Sequence, residues 1–106
     1  MEQNPGSILI IQLRQIGDVL LTTPAAEVLK ANFPEASLDF LTEPPADQVL
    51  KDNPFIDTVL AYDRRSPLKW LLKVRAAKYG LVVDFMSNPR SALLAWASGA
   101  PATAGP

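Results

Sequence analysis

The sequence predicts an α/β fold in which a doubly wound, Rossmann-like parallel sheet carries helices on both faces. Two observations support this prediction. Short apolar segments alternate four times with segments of helical periodicity, and only short connections separate them. Most of the apolar segments show no polar alternation, which is typical of parallel strands that are buried on both faces.

The predicted strands are the apolar segments of this alternation. The first, SILIIQL, is β-branched and follows a turn signal, whereas the second, SLDFLT, alternates in polarity. TVLAY and GLVVDF supply a third and a fourth strand, and ATAG is a candidate fifth. The five segments span residues 7–13, 37–42, 58–62, 80–85 and 102–105.

Four helical segments connect or follow these strands. The first runs from Asp18 to Asn32 and ends before Pro34, and its apolar residues repeat at helical spacing. Those apolar residues are Leu21, Ala25, Val28 and Leu29. The other three segments carry a proline in the first turn, where proline is tolerated. They span about residues 44–51, 67–78 and 88–98, the last with Asn88 as its N-cap and Gly99 at its end.

The composition limits the size and the chemistry of the protein. A chain of 106 residues that is 48% hydrophobic supports one domain with a modest core. Cys and His are absent, which excludes disulfides and thiolate nucleophiles and removes the commonest general base. Acid–base catalysis is therefore left to Asp, Glu, Lys or Tyr. No segment resembles a signal sequence or a membrane span, so we expect a soluble, unprocessed protein.

In doubly wound sheets, ligands bind beyond the carboxyl ends of the strands, where the strand order reverses. If the order is 3-2-1-4, the loops after the first and fourth strands form this crevice. The residues that these loops contribute are Arg14, Gly17, Asp18, Asp84, Asn88 and Arg90. We therefore expect them to face one another across one cleft, with Gly17 leaving room for a substrate near the backbone.

Asp18 has a structural and a functional interpretation. A carboxylate at a helix start stabilises the free N–H groups there. The functional interpretation rests on Pro24, since a proline inside a helix costs roughly 3 kcal/mol. Either the helix kinks there, or Thr23 caps a new start. Both arrangements leave Thr22 and Thr23 near the joint, and such departures from local rules tend to mark functional sites. Both threonines are therefore candidate substrate contacts.

Asp84 and Arg90 leave similar alternatives open. Asp84 is either a carboxylate that braces the end of a strand or a site residue. Arg90 is either an ordinary surface arginine or the partner of an anion held at a helix start. The motifs G-x-G-x-x-G and G-x-x-x-x-G-K-[ST] are absent, which excludes a standard phosphate cradle for a dinucleotide or a nucleoside triphosphate.

Residues 63–78, DRRSPLKWLLKVRAAK, form a basic segment of charge +5 in a chain of net charge −1. A local basic surface on an acidic protein favours an anionic partner. The alternative interpretation is a solvated helix face.

The segment ILIIQLRQIGDVLLTTPAAEVLKANFPEASLDFLT resembles the beginning of the ADP-heptose:lipopolysaccharide heptosyltransferases, glycosyltransferase family 9. GDVLLTTP is its most specific part. DNPFIDTVLAYDR and YGLVVDFMSNPRSALLAWASGAPATAG continue the match in order and spacing. LRQIGDVLLTTP and VVDFMSNPRSALL are closest to the heptosyltransferase III type. The resemblance covers nearly the whole chain from Ser7 onward.

This resemblance implies a GT-B fold, in which two Rossmann-like domains face each other across a cleft. Residues 1–106 would form the N-terminal domain, on the acceptor side, and a C-terminal domain would bind ADP-heptose. Transfer would invert the anomeric carbon without a metal or a cofactor, and Asp18 would be the general base. Arg64, Arg65 and Lys69 would contact the phosphorylated inner core of lipopolysaccharide or the anionic inner membrane. The enzyme would be cytoplasmic, and no nucleic acid partner is expected.

An enzyme of two such domains needs roughly 300 residues. We therefore expect this chain, which ends at Pro106, to be an incomplete N-terminal domain that is inactive without its donor-binding domain. An apolar sheet edge left uncovered would favour self-association of the chain.

Three other functions remain open at this point. A receiver-like signalling domain would use Asp84 in YGLVVDFMSNPRS as its phospho-acceptor. It would also need an acidic pair for Mg²⁺ after the first strand, where this chain has Gln12, Leu13 and Arg14. A binding module could keep the fold without the reaction. A family 9 transferase could also use another sugar nucleotide, selected by the other domain.

Overall fold

The computed structural model of the protein describes residues 6–86 and 88–104. Five strands form one sheet in the order β3-β2-β1-β4-β5, and every neighbouring pair is parallel. The strands are β1 Ser7–Ile11, β2 Ser37–Thr42, β3 Thr58–Ala61, β4 Leu81–Asp84 and β5 Ala102–Ala104. The predicted α/β fold is confirmed, and so is the strand order that was assumed for the first four strands. Gly105, the last residue of the predicted fifth strand, lies outside the described residues.

Helices cover both faces of this sheet. They are α1 Ile16–Asn32, a 3₁₀ helix Ala46–Leu50, α2 Pro67–Ala77 and α3 Pro89–Ala97. The chain moves from β1 to β3 in one direction and then returns past β1 to β4. Right-handed crossovers therefore put α1 and the 3₁₀ helix on one face, and α2 and α3 on the other. In the described part of the chain, no helix is both long and apolar enough to span a membrane.

The two faces of β1 explain why this strand is continuously apolar from Ile8 to Ile11. Ile8 and Ile10 pack with residues of α1 and the 3₁₀ helix, whereas Leu9 and Ile11 pack with residues of α2 and α3. All four side chains are fully buried. The central strand therefore connects two cores, as expected for a parallel sheet with both faces covered.

Helix α1 is confirmed as a helix, but its packed face differs from the predicted apolar residues. Leu21 and Val28 are 81% and 57% exposed. Leu29 packs against the core as predicted, but the buried residues of the helix are Val19, Thr22 and Ala26, which also follow a helical spacing. Because a threonine occupies the packed face, hydrophobicity alone does not identify this side of the helix.

Pro24 does not divide α1, which runs unbroken from Ile16 to Asn32. Of the two alternatives considered for Pro24, the new helix start capped by Thr23 is therefore wrong. A proline lacks the N–H that would reach the carbonyl four residues earlier, here that of Leu20. The hydroxyl of Thr23 donates to that carbonyl oxygen at 2.8 Å. The side chain of Thr23 thus replaces the missing backbone bond.

Candidate active site

A cavity of about 710 Å³, called the main cavity below, opens beyond the carboxyl ends of β1, β2, β3 and β4. This is the edge at which doubly wound sheets bind ligands. Its charged lining residues come from four different loops or helix starts. They are Arg14 and Asp18 after β1, Glu43 after β2, Arg64 after β3 and Arg90 after β4.

The joint between β1 and α1 supplies Arg14, Gly17 and Asp18. The helix begins at Ile16, so Asp18 is its third residue. The N-cap residue Gln15 makes no side-chain capping bond. Gly17 is exposed, and a Cβ added to it would meet no atom within 4 Å. Glycine is therefore not required by the backbone at this point, and its missing side chain enlarges the cavity.

Asp18 is exposed at the edge of the main cavity. Within residues 6–86 and 88–104, its carboxylate has no hydrogen-bond or ion-pair partner. The same holds for the guanidinium of Arg14 within these ranges. Asp18 accepts no bond from the first-turn amides within these ranges, so a capping role is not supported, whereas its place in the first turn does suit the helix dipole.

Glu43 joins two arginines at the same cavity. Its Oε2 and Oε1 accept from Nε and Nη2 of Arg64, both at 2.9 Å. Oε2 also accepts from Nη1 of Arg90 at 3.1 Å. The Glu43 side chain is only 12% exposed, against 70% for Arg64 and 41% for Arg90. These hydrogen bonds, followed by the charge of Glu43, raise the pKa of Arg64 above its already high value.

Glu43 is not among the site residues predicted from the sequence. Its position directly after β2 is the signal that could have found it, because all carboxyl ends of a parallel sheet lie at one edge. The pairing itself was not visible, since Glu43 lies 21 and 47 residues from its partners.

Asp84 does not face Asp18, and the prediction that the two share one cleft is wrong. In the β1–β4 pairing Asp84 lies beside Ile11, whose side chain points toward α2 and α3. Its buried carboxylate accepts from the backbone N–H of Met86 at 2.8 Å and from the hydroxyl of Ser91 at 2.9 Å. It lines a different cavity, of about 610 Å³. These bonds fit a carboxylate that braces the start of α3. They do not fit a phospho-acceptor, whose carboxylate has to be accessible.

Three other candidate residues lie outside the lining of the main cavity. Asn88 caps α3, since its Oδ1 accepts from the N–H of Ser91 at 2.8 Å. Thr22 is buried, donates to the carbonyl of Asp18 at 2.8 Å and accepts from Gln12 at 3.3 Å. Thr23 bonds to Leu20, as described above. Their hydrogen bonds assign these three residues to the fold rather than to a substrate.

The basic segment of residues 63–78 does not act as one surface. Arg64 lies at the main cavity, whereas Arg65 pairs with Asp63 through Nε and Oδ1 at 3.2 Å. The N–H of Arg65, followed by its guanidinium, lowers the pKa of Asp63. Lys73 lies 4.8 Å from the ring centre of Trp70. Lys69 is exposed near the start of α2. Within the described residues, Arg64 and Arg65 are thus the two members of this segment that pair with carboxylates.

The chain is similar to known glycosyltransferases in sequence and in structure. No family model matches the chain. Lipopolysaccharide heptosyltransferase 3 of Escherichia coli K12 is 33% identical over 91 residues, which are 77% of this chain and 26% of that protein. The crystal structure of a family 9 glycosyl transferase from Veillonella parvula superposes with a TM-score of 0.82 at 31% identity. The superposed residues are 99% of this chain and 32% of the Veillonella chain.

The resemblance to glycosyltransferase family 9 is confirmed. The structure of Escherichia coli ADP-heptose lps heptosyltransferase II also superposes, with a TM-score of 0.82 over 93% of this chain and 30% of that one. At 21% identity this match supports the fold alone. The chain therefore spans between a quarter and a third of the length of these relatives.

Proposed function

We propose that the chain is the N-terminal, acceptor-side domain of a glycosyltransferase that transfers heptose from ADP-heptose to the inner core of lipopolysaccharide. One observation carries the proposal. A family 9-like chain places an exposed carboxylate, without a partner in the described residues, at the edge of a 710 Å³ cavity. The donor-binding domain would be supplied by further sequence, and we expect residues 1–106 alone to be inactive.

Asp18 would act as the general base of this reaction. Its carboxylate would take the proton of an acceptor hydroxyl while that oxygen bonds to the anomeric carbon of the heptose. The bond from the anomeric carbon to the diphosphate breaks on the opposite side, so the configuration inverts and ADP leaves. Neither step requires a metal ion. Gly17 would allow the acceptor to come close to the first turn of α1, and Arg14 would face it from the same joint.

The test is Asp18→Asn in a protein that joins this chain to a donor-binding domain. Transfer of heptose to a core oligosaccharide is measured, and kcat should fall by about 10² to 10⁴-fold, as for the loss of a general base. Asp52→Asn, an exposed aspartate outside the lining of the cavity, is the matched control. Near-normal turnover by Asp18→Asn would remove Asp18 from the mechanism, and EDTA should leave the parent activity unchanged.

The same proposal places the enzyme in the cytoplasm, in peripheral contact with the inner membrane. Arg64, Arg65 and Lys69 would meet the phosphorylated acceptor or the anionic lipids, and Leu68 beside them is 66% exposed. Sedimentation with anionic vesicles tests this contact. Binding that Arg65→Ala with Lys69→Ala leaves unchanged at low salt would count against it.

Self-association of the chain would involve β5. All three residues of this edge strand, Ala102–Ala104, are exposed, and an uncovered strand edge can pair with another chain. A sedimentation velocity series that gives only monomer up to high concentration would exclude it.

A further inference from the structure

Two guanidinium groups that come from distant parts of the fold meet on one carboxylate at the main cavity. Arg64 follows β3 and Arg90 lies in the first turn of α3, after β4, while Glu43 follows β2. In the sheet, β2 and β1 separate β3 from β4. Without Glu43, both long side chains would be free to occupy many rotamers, each with roughly 2 kcal/mol of rotamer entropy.

This cluster differs from an ordinary surface ion pair. Exposed pairs hold their partners weakly because water competes for both charges. Glu43 is only 12% exposed and binds Arg64 through two parallel N–H···O bonds, a geometry that fixes the plane of the guanidinium. Glu43 therefore sets the plane of the Arg64 guanidinium and tethers Arg90 beside it through a single bond.

The bonds to Glu43 leave most of the arginine donors free. A guanidinium has five N–H groups, so Arg64 keeps three and Arg90 keeps four for other acceptors. Together with Arg14, the three arginines exceed the two carboxylates of the cavity by one positive charge. A planar fork of donors beside excess positive charge is the arrangement that recognises a phosphate group.

We propose that Glu43 is a positioning residue that holds Arg64 and Arg90 as a phosphate-binding wall of the main cavity. The ligand is a phosphate group carried by the sugar substrate or by the nucleotide. This inference rests on the proposed function for its substrate, but the phosphate site can be tested on the chain alone.

The test is a titration of the wild type and of Glu43→Gln with inorganic phosphate. The NMR signals of the arginine Nε–H groups report binding and give the dissociation constant of each protein. The substitution removes a negative charge, so electrostatics alone would strengthen phosphate binding. A positioning role predicts the opposite, a dissociation constant about tenfold higher, with the largest signal changes at Arg64 and Arg90. Glu27→Gln, an exposed glutamate on α1, removes the same charge elsewhere and is the control.

Tighter or unchanged phosphate binding by Glu43→Gln would overturn the proposal. If Glu43→Gln does not fold, the phosphate affinity of Arg90→Lys is measured instead. It should be lower, because lysine keeps the charge and loses the planar fork. Unchanged binding by Arg90→Lys would then contradict the assigned wall.

Two further measurements distinguish the source of the phosphate and separate the two proposals. Titration with ADP and with a phosphorylated core oligosaccharide shows which ligand the wall prefers. In the protein that carries a donor-binding domain, Glu43→Gln should raise KM for the preferred ligand about tenfold and change kcat little, whereas a purely structural defect would lower both stability and kcat. Phosphate binding without any transfer activity would contradict the proposed function and leave the role of Glu43 intact.

Discussion

The bond between Thr23 and the carbonyl of Leu20 gives a quantitative prediction for the stability of α1. Thr23→Val removes the hydroxyl but keeps the β-branched shape of the side chain. The hydrogen bond is 2.8 Å long, and a typical bond of this kind contributes about 1 kcal/mol net. Because Pro24 has no N–H, no backbone donor at that position can replace the Thr23 hydroxyl at the Leu20 carbonyl. We expect Thr23→Val to lower the free energy of unfolding by about 1 kcal/mol.

A double-mutant cycle with Pro24→Ala identifies the cause. The alanine restores the backbone N–H, so Thr23→Val should cost close to nothing in that background, and the coupling energy should be about 1 kcal/mol. Urea unfolding followed by tryptophan fluorescence measures all four proteins. Thr22→Val is the control, because its hydroxyl bonds to Asp18 and Gln12, whose bonds do not depend on Pro24. A coupling energy near zero for Thr23 and Pro24 would refute the compensation.

Two polar contacts that connect β2 to residues outside the sheet give further predictions, both measured by urea unfolding. The buried Tyr79 donates to Asp39 at 2.6 Å, and Tyr79→Phe should cost about 1–2 kcal/mol. Burial, followed by the bond to Asp39, raises the pKa of Tyr79, so the stability it confers should be lost as pH rises above about 10, where only the unfolded tyrosine ionises. Lys30, followed by the N–H of Leu38, lowers the pKa of Asp57. Asp57→Asn should therefore cost about 0.5–1 kcal/mol at pH 7, and the difference should disappear as pH falls below about 4. A pH-independent difference in either case would contradict the assigned ionisation.

The strands could be predicted from the sequence because the burial of a strand is visible in the polarity of its own residues. Apart from Ser7, β1 is apolar at every position, since both of its faces are covered, and such a run is typical of a parallel sheet. The edge at which the cavity opens followed from topology once a strand order was assumed. Arg14, Gly17, Asp18 and Arg90 were correctly placed at that edge.

The direction of each side chain could not be predicted in the same way. Asp84 is the last residue of β4 and lies on the same face of the sheet as its register neighbour Ile11, so it lines a different cavity from Asp18. A shift of one residue reverses the face in a strand, and the sequence does not show at which residue the strand ends. The position of Glu43 was visible, but its contacts with Arg64 and Arg90 are long-range.

Pro24 shows that a proline inside a helix, although unfavourable there, is a weak guide to function in this fold. Its position suggested that Thr22 and Thr23 bind a substrate, but their hydroxyls bond to backbone carbonyls of α1 at 2.8 Å. The stronger guide is the opposite observation, a polar group that the described chain leaves without a partner. Asp18 meets this criterion, and it lies at the edge where parallel sheets bind ligands. An unpaired carboxylate at that edge is free to accept the proton of a bound hydroxyl, which is the role proposed for Asp18.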